Sequence, residues 1–201
     1  MKLLLSIFLI NTIVYSAGAQ DFDKNLSTAK TSYTAGNLED ARFAMEQMLI
    51  NLDEAIGKEI LKMLPVQMGS LKTNPKDDNV SGSSAGFTAG LYVHRTYGLM
   101  PNVTTIEIIN NSPMINSISM ILNSPIMGGM LRDENQKTLK VQGYKSLLTK
   151  KTDSDTGKIG YELQIPMNNT LVTINSDETT ETQITGFANT IPLSKIAQVS
   201  Q

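Results

Sequence analysis

A chain with one histidine and no cysteine has a short menu of side-chain chemistry. His94 lies in the β-rich run Gly90-Leu-Tyr-Val-His-Arg-Thr-Tyr97, between Val93 and Arg95. The count alone excludes a Cys-His pair and any multi-His metal site. A Ser-His-Asp arrangement would need Ser83 or Ser84 to reach His94, and no Gly-x-Ser-x-Gly turn presents a nucleophile. The acids cluster in turn-like pairs, Asp77-Asp78, Asp133-Glu134 and Asp153 with Asp155, where solvated positions are expected rather than a catalytic couple. Asp153-Ser-Asp155-Thr-Gly157 alternates aspartates as calcium loops do, but Glu162 comes too early for the late ligand; a hairpin tip flanked by Lys150, Lys151 and Lys158 is expected instead. Ser81-Gly-Ser-Ser-Ala-Gly86 lacks the Gly-Lys-Ser/Thr ending of a phosphate-binding loop. No catalytic residue, metal site or cofactor is expected.

The other stretch with chemical character is Ile108–Leu131, which holds no charged residue. Ile115, Ile118, Ile121 and Leu122 make a helical stripe after Ser112-Pro113, and Asn123-Ser-Pro125 closes it. Met127-Gly-Gly-Met130 follows as an apolar tip. Three readings stand. The first is a helix packed on a sheet, with Asn116, Ser117, Ser119 and Asn123 on its polar side. The second is a contact surface for an apolar ligand or partner, because flexible thioethers adapt to varied shapes; its candidate residues are Met114, Ile118, Met120, Ile121, Met127 and Met130. The third is Met-only binding of Cu(I), supported by Met127 and Met130 alone.

Elements that would position these residues follow from periodicity. Phe22, Leu26, Ala29 and Tyr33 share a helical face, and Gly36-Asn37 ends that helix. Asn37 can cap a second helix whose expected stripe runs Ala41, Ala44, Met45, Met48, Leu52, Ala55, Ile56, Ile60 and Met63 until Pro65. Residues 66–89 are rich in turn formers and are expected to be a linker. Gly90–Tyr97 and Val103–Ile109 read as a hairpin, Thr138–Lys151 as one extended segment, and Tyr161–Pro166 with Thr170–Asn175 as a tight pair across Met167-Asn168-Asn169. In that pair Tyr161, Leu163 and Ile165 share a face, and Val172 and Ile174 are opposed to Leu171 and Thr173. Ile184, Phe187, Ala188 and Ile191 then form a helical stripe that Pro192 interrupts, with Leu193, Ile196 and Ala197 continuing it.

The start of the chain has export character: Lys2, a mostly apolar Leu3–Tyr15, and Ala17-Gly-Ala19 as a small-residue cleavage site. The apolar run is shorter than the ~20 residues of a bilayer span. Cleavage after Ala19 would remove only Lys2 among the charges, so 17 basic residues become 16 against 19 acidic, a net charge of −3. That balance speaks against a nucleic-acid partner, which needs a basic patch. A periplasmic or secreted location is expected, with no transmembrane span after cleavage and an envelope protein or apolar ligand as partner.

Tyr33-Thr-Ala-Gly36-Asn-Leu-Glu-Asp-Ala41 resembles the turn of a single tetratricopeptide-like unit, which implies a two-helix hairpin. The whole mature chain resembles secreted or periplasmic proteins of unknown function from Gram-negative bacteria in its Ala17-Gly-Ala-Gln20 signal end, its Gly36-Asn37 hairpin and its closing Asn189–Ala197. Its element order is similar in outline to small α+β folds of photosystem-associated and lipoprotein families. Neither resemblance implies a site residue. The expectation is an α+β protein: signal peptide 1–19, helical hairpin 20–65, Gly/Ser-rich linker 66–89, and an antiparallel α+β domain 90–198 covered by helices at 113–123 and 180–197. A non-catalytic binding module of the envelope is the leading expectation. The alternatives are a hydrolase using His94 or surface carboxylates, and a partner interface on the hairpin.

Overall fold

A computed structural model describes residues 17–82, 90–123 and 134–200. Leu3–Tyr15, Ser83, Ser84, Met127, Met130 and Asp133 lie outside the described residues. The chain is an α+β protein with an N-terminal helical hairpin, a large antiparallel sheet and further helices. Its contacts divide into two units, residues 1–48 and 49–201.

The first unit holds α1 (Ala17–Thr34) and the beginning of α2 (Leu38–Met63). Gly36 adopts φ 79°, a left-handed backbone that glycine takes without a Cβ penalty, and this ends α1. Asn37 caps the next helix, its side chain accepting from the Asp40 amide at 3.5 Å. Ala29, Ala41 and Ala44 are the buried apolar residues here, small enough for helices to approach closely. Leu26, Tyr33, Leu38 and Met45 stay exposed.

The second unit is built on a seven-stranded antiparallel sheet in the order β3-β4-β5-β9-β8-β7-β6. Its strands are β3 (Asn79–Ser81), β4 (Tyr92–Leu99), β5 (Asn102–Asn110), β6 (Gln136–Val141), β7 (Tyr144–Thr152), β8 (Ile159–Met167) and β9 (Thr170–Ser176). Strand alternation sends Val93, Ile106, Ile108, Leu163, Ile165, Val172 and Ile174 to one face, where they form the main core. That face is covered by Ile60 and Leu64 from the end of α2 and just beyond it, and by α4 (Glu181–Thr190) and α5 (Leu193–Val199). Thr180 and Gln183 close a capping box at the start of α4. The expected stripe holds: Ile184, Ala188, Ile191, Leu193, Ile196 and Ala197 are all buried, with Phe187 packed against them. Pro192 separates the two helices as its ring requires. Among the described residues the opposite face carries only α3 (Met114–Asn123), which lays Ile118 on Leu147 and Leu171.

Three expectations are corrected. Residues 66–82 are not a plain linker. Gln67–Met68 and Leu71–Lys72 form a small hairpin, β1 and β2, and Asn79–Ser81 pairs with Tyr92–His94 as an edge of the main sheet. Their polar composition suits an edge strand, which has one solvated side. Thr138–Lys151 is two strands, because Gln142 (φ 48°) and Gly143 (φ 89°) turn the chain in left-handed conformation. Two successive positive φ values match the right-handed twist of the flanking strands. Finally, α2 does not bury one continuous stripe: Met45, Leu52 and Ala55 are exposed, whereas Gly57, Ile60 and Leu64 are buried. Gly57 explains the second half. A Cβ there would run into Val80 and Leu91, so α2 approaches the sheet through the missing side chain.

The junction of α2 with the sheet is also polar. Arg95 reaches through the core face, donating to the carbonyls of Leu61 at 2.8 Å and Leu64 at 3.5 Å, which the end of a helix leaves unpaired. Its other nitrogens make a two-pronged pair with Asp78 at 2.9 and 2.6 Å. Tyr97 donates its hydroxyl to the Pro65 carbonyl at 2.8 Å. Among the described residues no helix is long and apolar enough to cross a membrane.

Candidate functional site

The residues with chemical character gather on the less covered face of the sheet. There α3 supplies the apolar part. It contains no charged residue, and its ten residues present Ile115, Ile118, Ile121 and Leu122 to the sheet. Ile118 is almost wholly buried and Ile121 is partly buried, so both serve packing rather than contact. Met114 and Met120 are about half exposed, at 50% and 51%. Met120 lies two residues from Ile118, roughly 200° around the helix, and so points away from the sheet. A groove of about 160 Å³ runs beside α3, between Ile115 and Leu122 on one side and Lys145 and Pro166 on the other. Lys145 closes its end by donating to Asn123 at 2.9 Å.

Farther along the same face the sheet is polar. Strand register sets His94 opposite Glu107, Glu107 opposite Thr173, and Thr173 opposite Gln164. Four side chains from two strands form a chain of contacts. Tyr92 donates its hydroxyl to Glu107 Oε1 at 3.3 Å; the same oxygen lies 3.6 Å from His94 Nδ1; and His94 Nε2 is 3.2 Å from Thr96 Oγ1. Tyr92 stacks on the imidazole with ring centroids 6.3 Å apart. Burial, followed by the charge of Glu107 and the bond to it, pushes the Tyr92 phenol up to about 12, so it stays protonated and donates. His94 Nδ1 is shut off from solvent and has no hydrogen-bond partner.

The order carboxylate, imidazole, hydroxyl is that of a nucleophilic relay. Two features work against that use. The Nδ1 to Oε1 separation exceeds a hydrogen bond. Thr96 also sits inside a strand whose backbone is engaged on both sides, by β5 and by the segment at 73–81, so the amides of that strand are not free to hold an oxyanion. Ser83 and Ser84, the hydroxyls considered from the sequence, lie outside the described residues.

Two further acids among the described residues sit in defined contacts. Asp78 is held by Arg95. Asp153 forms the expected hairpin tip between β7 and β8, accepting from the Thr156 hydroxyl at 2.7 Å, the Thr156 amide at 2.7 Å and the Asp155 amide at 3.1 Å. These bonds, the Thr156 hydroxyl first, lower its pKa below the ordinary carboxylate value. The tip borders a cleft of about 410 Å³ between hairpin ends, with Met100 and Pro101 as an apolar lip and Lys151, Lys158 and Glu178 around it. Lys158 already pairs with Glu178 at 2.7 Å, and Lys151 with Glu162 at 2.5 Å. Among the described residues no group of three His, Asp or Glu side chains converges on one point.

No protein-family model, curated protein or solved structure matches the chain. The site therefore has to be read from its own residues. Sequence reasoning singled out His94 and the α3 methionines but not Tyr92, Thr96 or Glu107. The pairing of His94 with Glu107 depends on strand register, although the shared parity of Tyr92, His94 and Thr96 was visible as alternation.

Proposed function

We propose that the protein is an exported, non-catalytic binding module of the cell envelope that takes an apolar ligand or partner on the α3 side of its sheet. The observation that carries this reading is the exposure of Met114 and Met120 on a helix without a single charge. A monomeric surface normally keeps such side chains apart or guards them with charge. Flexible thioethers there adapt to varied apolar shapes. Export rests on the Lys2, Leu3–Tyr15 and Ala17-Gly-Ala19 pattern. Ile118 and Ile121 drop out of the contact set because they anchor α3 to Leu147 and Leu171.

The hydrolase alternative is weaker because the amides of the strand that carries Thr96 are already engaged in the sheet. Native mass spectrometry of protein purified from its own envelope tests the binding reading. A retained lipid or polypeptide, released by substituting Met120, is the expected result. A clean chain that also leaves an apolar dye unbound would overturn it, and activity abolished by His94→Ala would establish the hydrolase instead.

A further inference from the structure

Along α2, Leu38, Met45 and Leu52 are seven residues apart, and Arg42, Leu49 and Ile56 interleave with them at alternating steps of four and three. Seven residues fall about 20° short of two full helical turns, so these six side chains form one narrow seam, about 27 Å long at about 1.5 Å per residue. That is the spacing of a helix that packs along another helix. Yet the seam faces solvent: Leu38, Met45, Leu49 and Leu52 are 62%, 52%, 61% and 47% exposed. Only at Ile56 does it reach the sheet core, against which that side chain is partly buried. The residues of α2 that are buried, Ala41, Ala44, Gly57 and Ile60, fall at other positions of the seven-residue repeat.

We propose that this seam docks an amphipathic helix of a partner protein whose apolar stripe is flanked by lysine or arginine. Charge decides the occupant. The residue after each of Leu38, Met45 and Leu52 is acidic, namely Glu39, Glu46 and Asp53. In packed helices that position lies beside the seam and faces the flank of the partner. From Leu38 to Ile56 the helix holds five acids, these three with Asp40 and Glu54, against the single base Arg42, a net charge of −4. A second copy would bring −4 against −4, and an anionic lipid surface would meet the same repulsion. A basic helix is attracted instead. Arg42, whose side chain is 83% exposed and bonded to Glu46 at 3.0 Å, is the one polar residue of the seam, a kind of position that fixes the register of paired helices. The surface is separate from the apolar contact at α3, and either can hold without the other.

The test titrates the purified protein into two fluorescent three-heptad peptides with leucine along one seam, one flanked by lysines and the other by glutamates, and reads anisotropy. The lysine-flanked peptide should bind, and the glutamate-flanked one about tenfold more weakly or not at all. Leu49→Asp should weaken binding about tenfold or more, although it adds negative charge and would strengthen an attraction based on charge alone. Glu46→Lys, at the middle of the acidic flank, should move the preference toward the glutamate-flanked peptide, and it carries the test should Leu49→Asp fail to fold. Equal binding of the two peptides, no binding of either, or undiminished binding by folded Leu49→Asp would overturn the proposal. So would self-association in sedimentation velocity, or binding to phosphatidylglycerol vesicles, if Leu49→Asp abolished it, since the seam would then belong to a second copy or to a membrane.

Discussion

The two faces of the sheet share a backbone and differ by one residue of phase. One row across four strands reads Val93, Ile108, Val172, Ile165, and the adjacent row on the other face reads His94, Glu107, Thr173, Gln164. The first row lies under helices and belongs to the main core. Among the described residues the second face carries only α3, whose buried cluster is confined to Ile118, Leu147 and Leu171 with the partly buried Ile115, Ile121 and Leu122 around them. Stability therefore resides mainly on one face, and the other is free to hold polar groups that a core would not tolerate. Alternation with period two lets one set of strands do both.

A substitution that moves the same charge across this boundary gives the largest contrast. Val172→Asp places an unpaired carboxylate in the core and should cost at least about 4–5 kcal/mol, enough to unfold much of the population. Thr173→Asp, one residue on and partly exposed, should change stability by about 1 kcal/mol or less in urea titrations. Equal effects would break the comparison. Arg95→Met comes next. It leaves Asp78 and two helix-end carbonyls without their partner, and the expected loss is about 3–5 kcal/mol by the same titration.

Gly57→Ala should have an intermediate effect because two terms oppose. The added methyl meets Val80 and Leu91, an overpacking cost of about 1–3 kcal/mol, while alanine in a helix gains about 1 kcal/mol over glycine. A net loss near 1 kcal/mol is expected; a gain would mean that α2 does not sit close to the sheet there. The pH dependence is subtler. Burial, opposed in part by Arg95, pushes the Tyr97 phenol up to about 12. An acid whose folded pKa is raised is stabilising in its neutral form. That contribution is complete below the ordinary tyrosine value near 10 and is lost as pH rises through about 12. Alkaline melts should show this loss, and Tyr97→Phe should flatten it.

Much of the core face was legible from sequence. Tyr161, Leu163 and Ile165 alternate with polar residues, and the line from Ile184 to Ala197 keeps helical spacing around Pro192, so their burial follows from period alone. What escaped detection depends on contacts far apart in the chain. Gln142-Gly143 lacks the Asn-Gly or Asp-Gly signature of its turn, so β6 and β7 read as one segment. Asn79–Ser81 looks like linker because an edge strand needs little apolar character. The glycine at 57 reads as a weak point in a helix until the sheet beneath it is seen. At the candidate site, the uncharged α3 and its methionines were visible in the sequence, but Glu107 could be placed against His94 only through register.

Met120→Asp tests the central claim most directly, since it puts a charge at the centre of the proposed contact on a half-exposed side chain. The account predicts a melt within about 0.5 kcal/mol of the parent, as for a surface substitution, together with clear loss of apolar-dye and ligand binding. Undiminished binding by a folded Met120→Asp protein would contradict it.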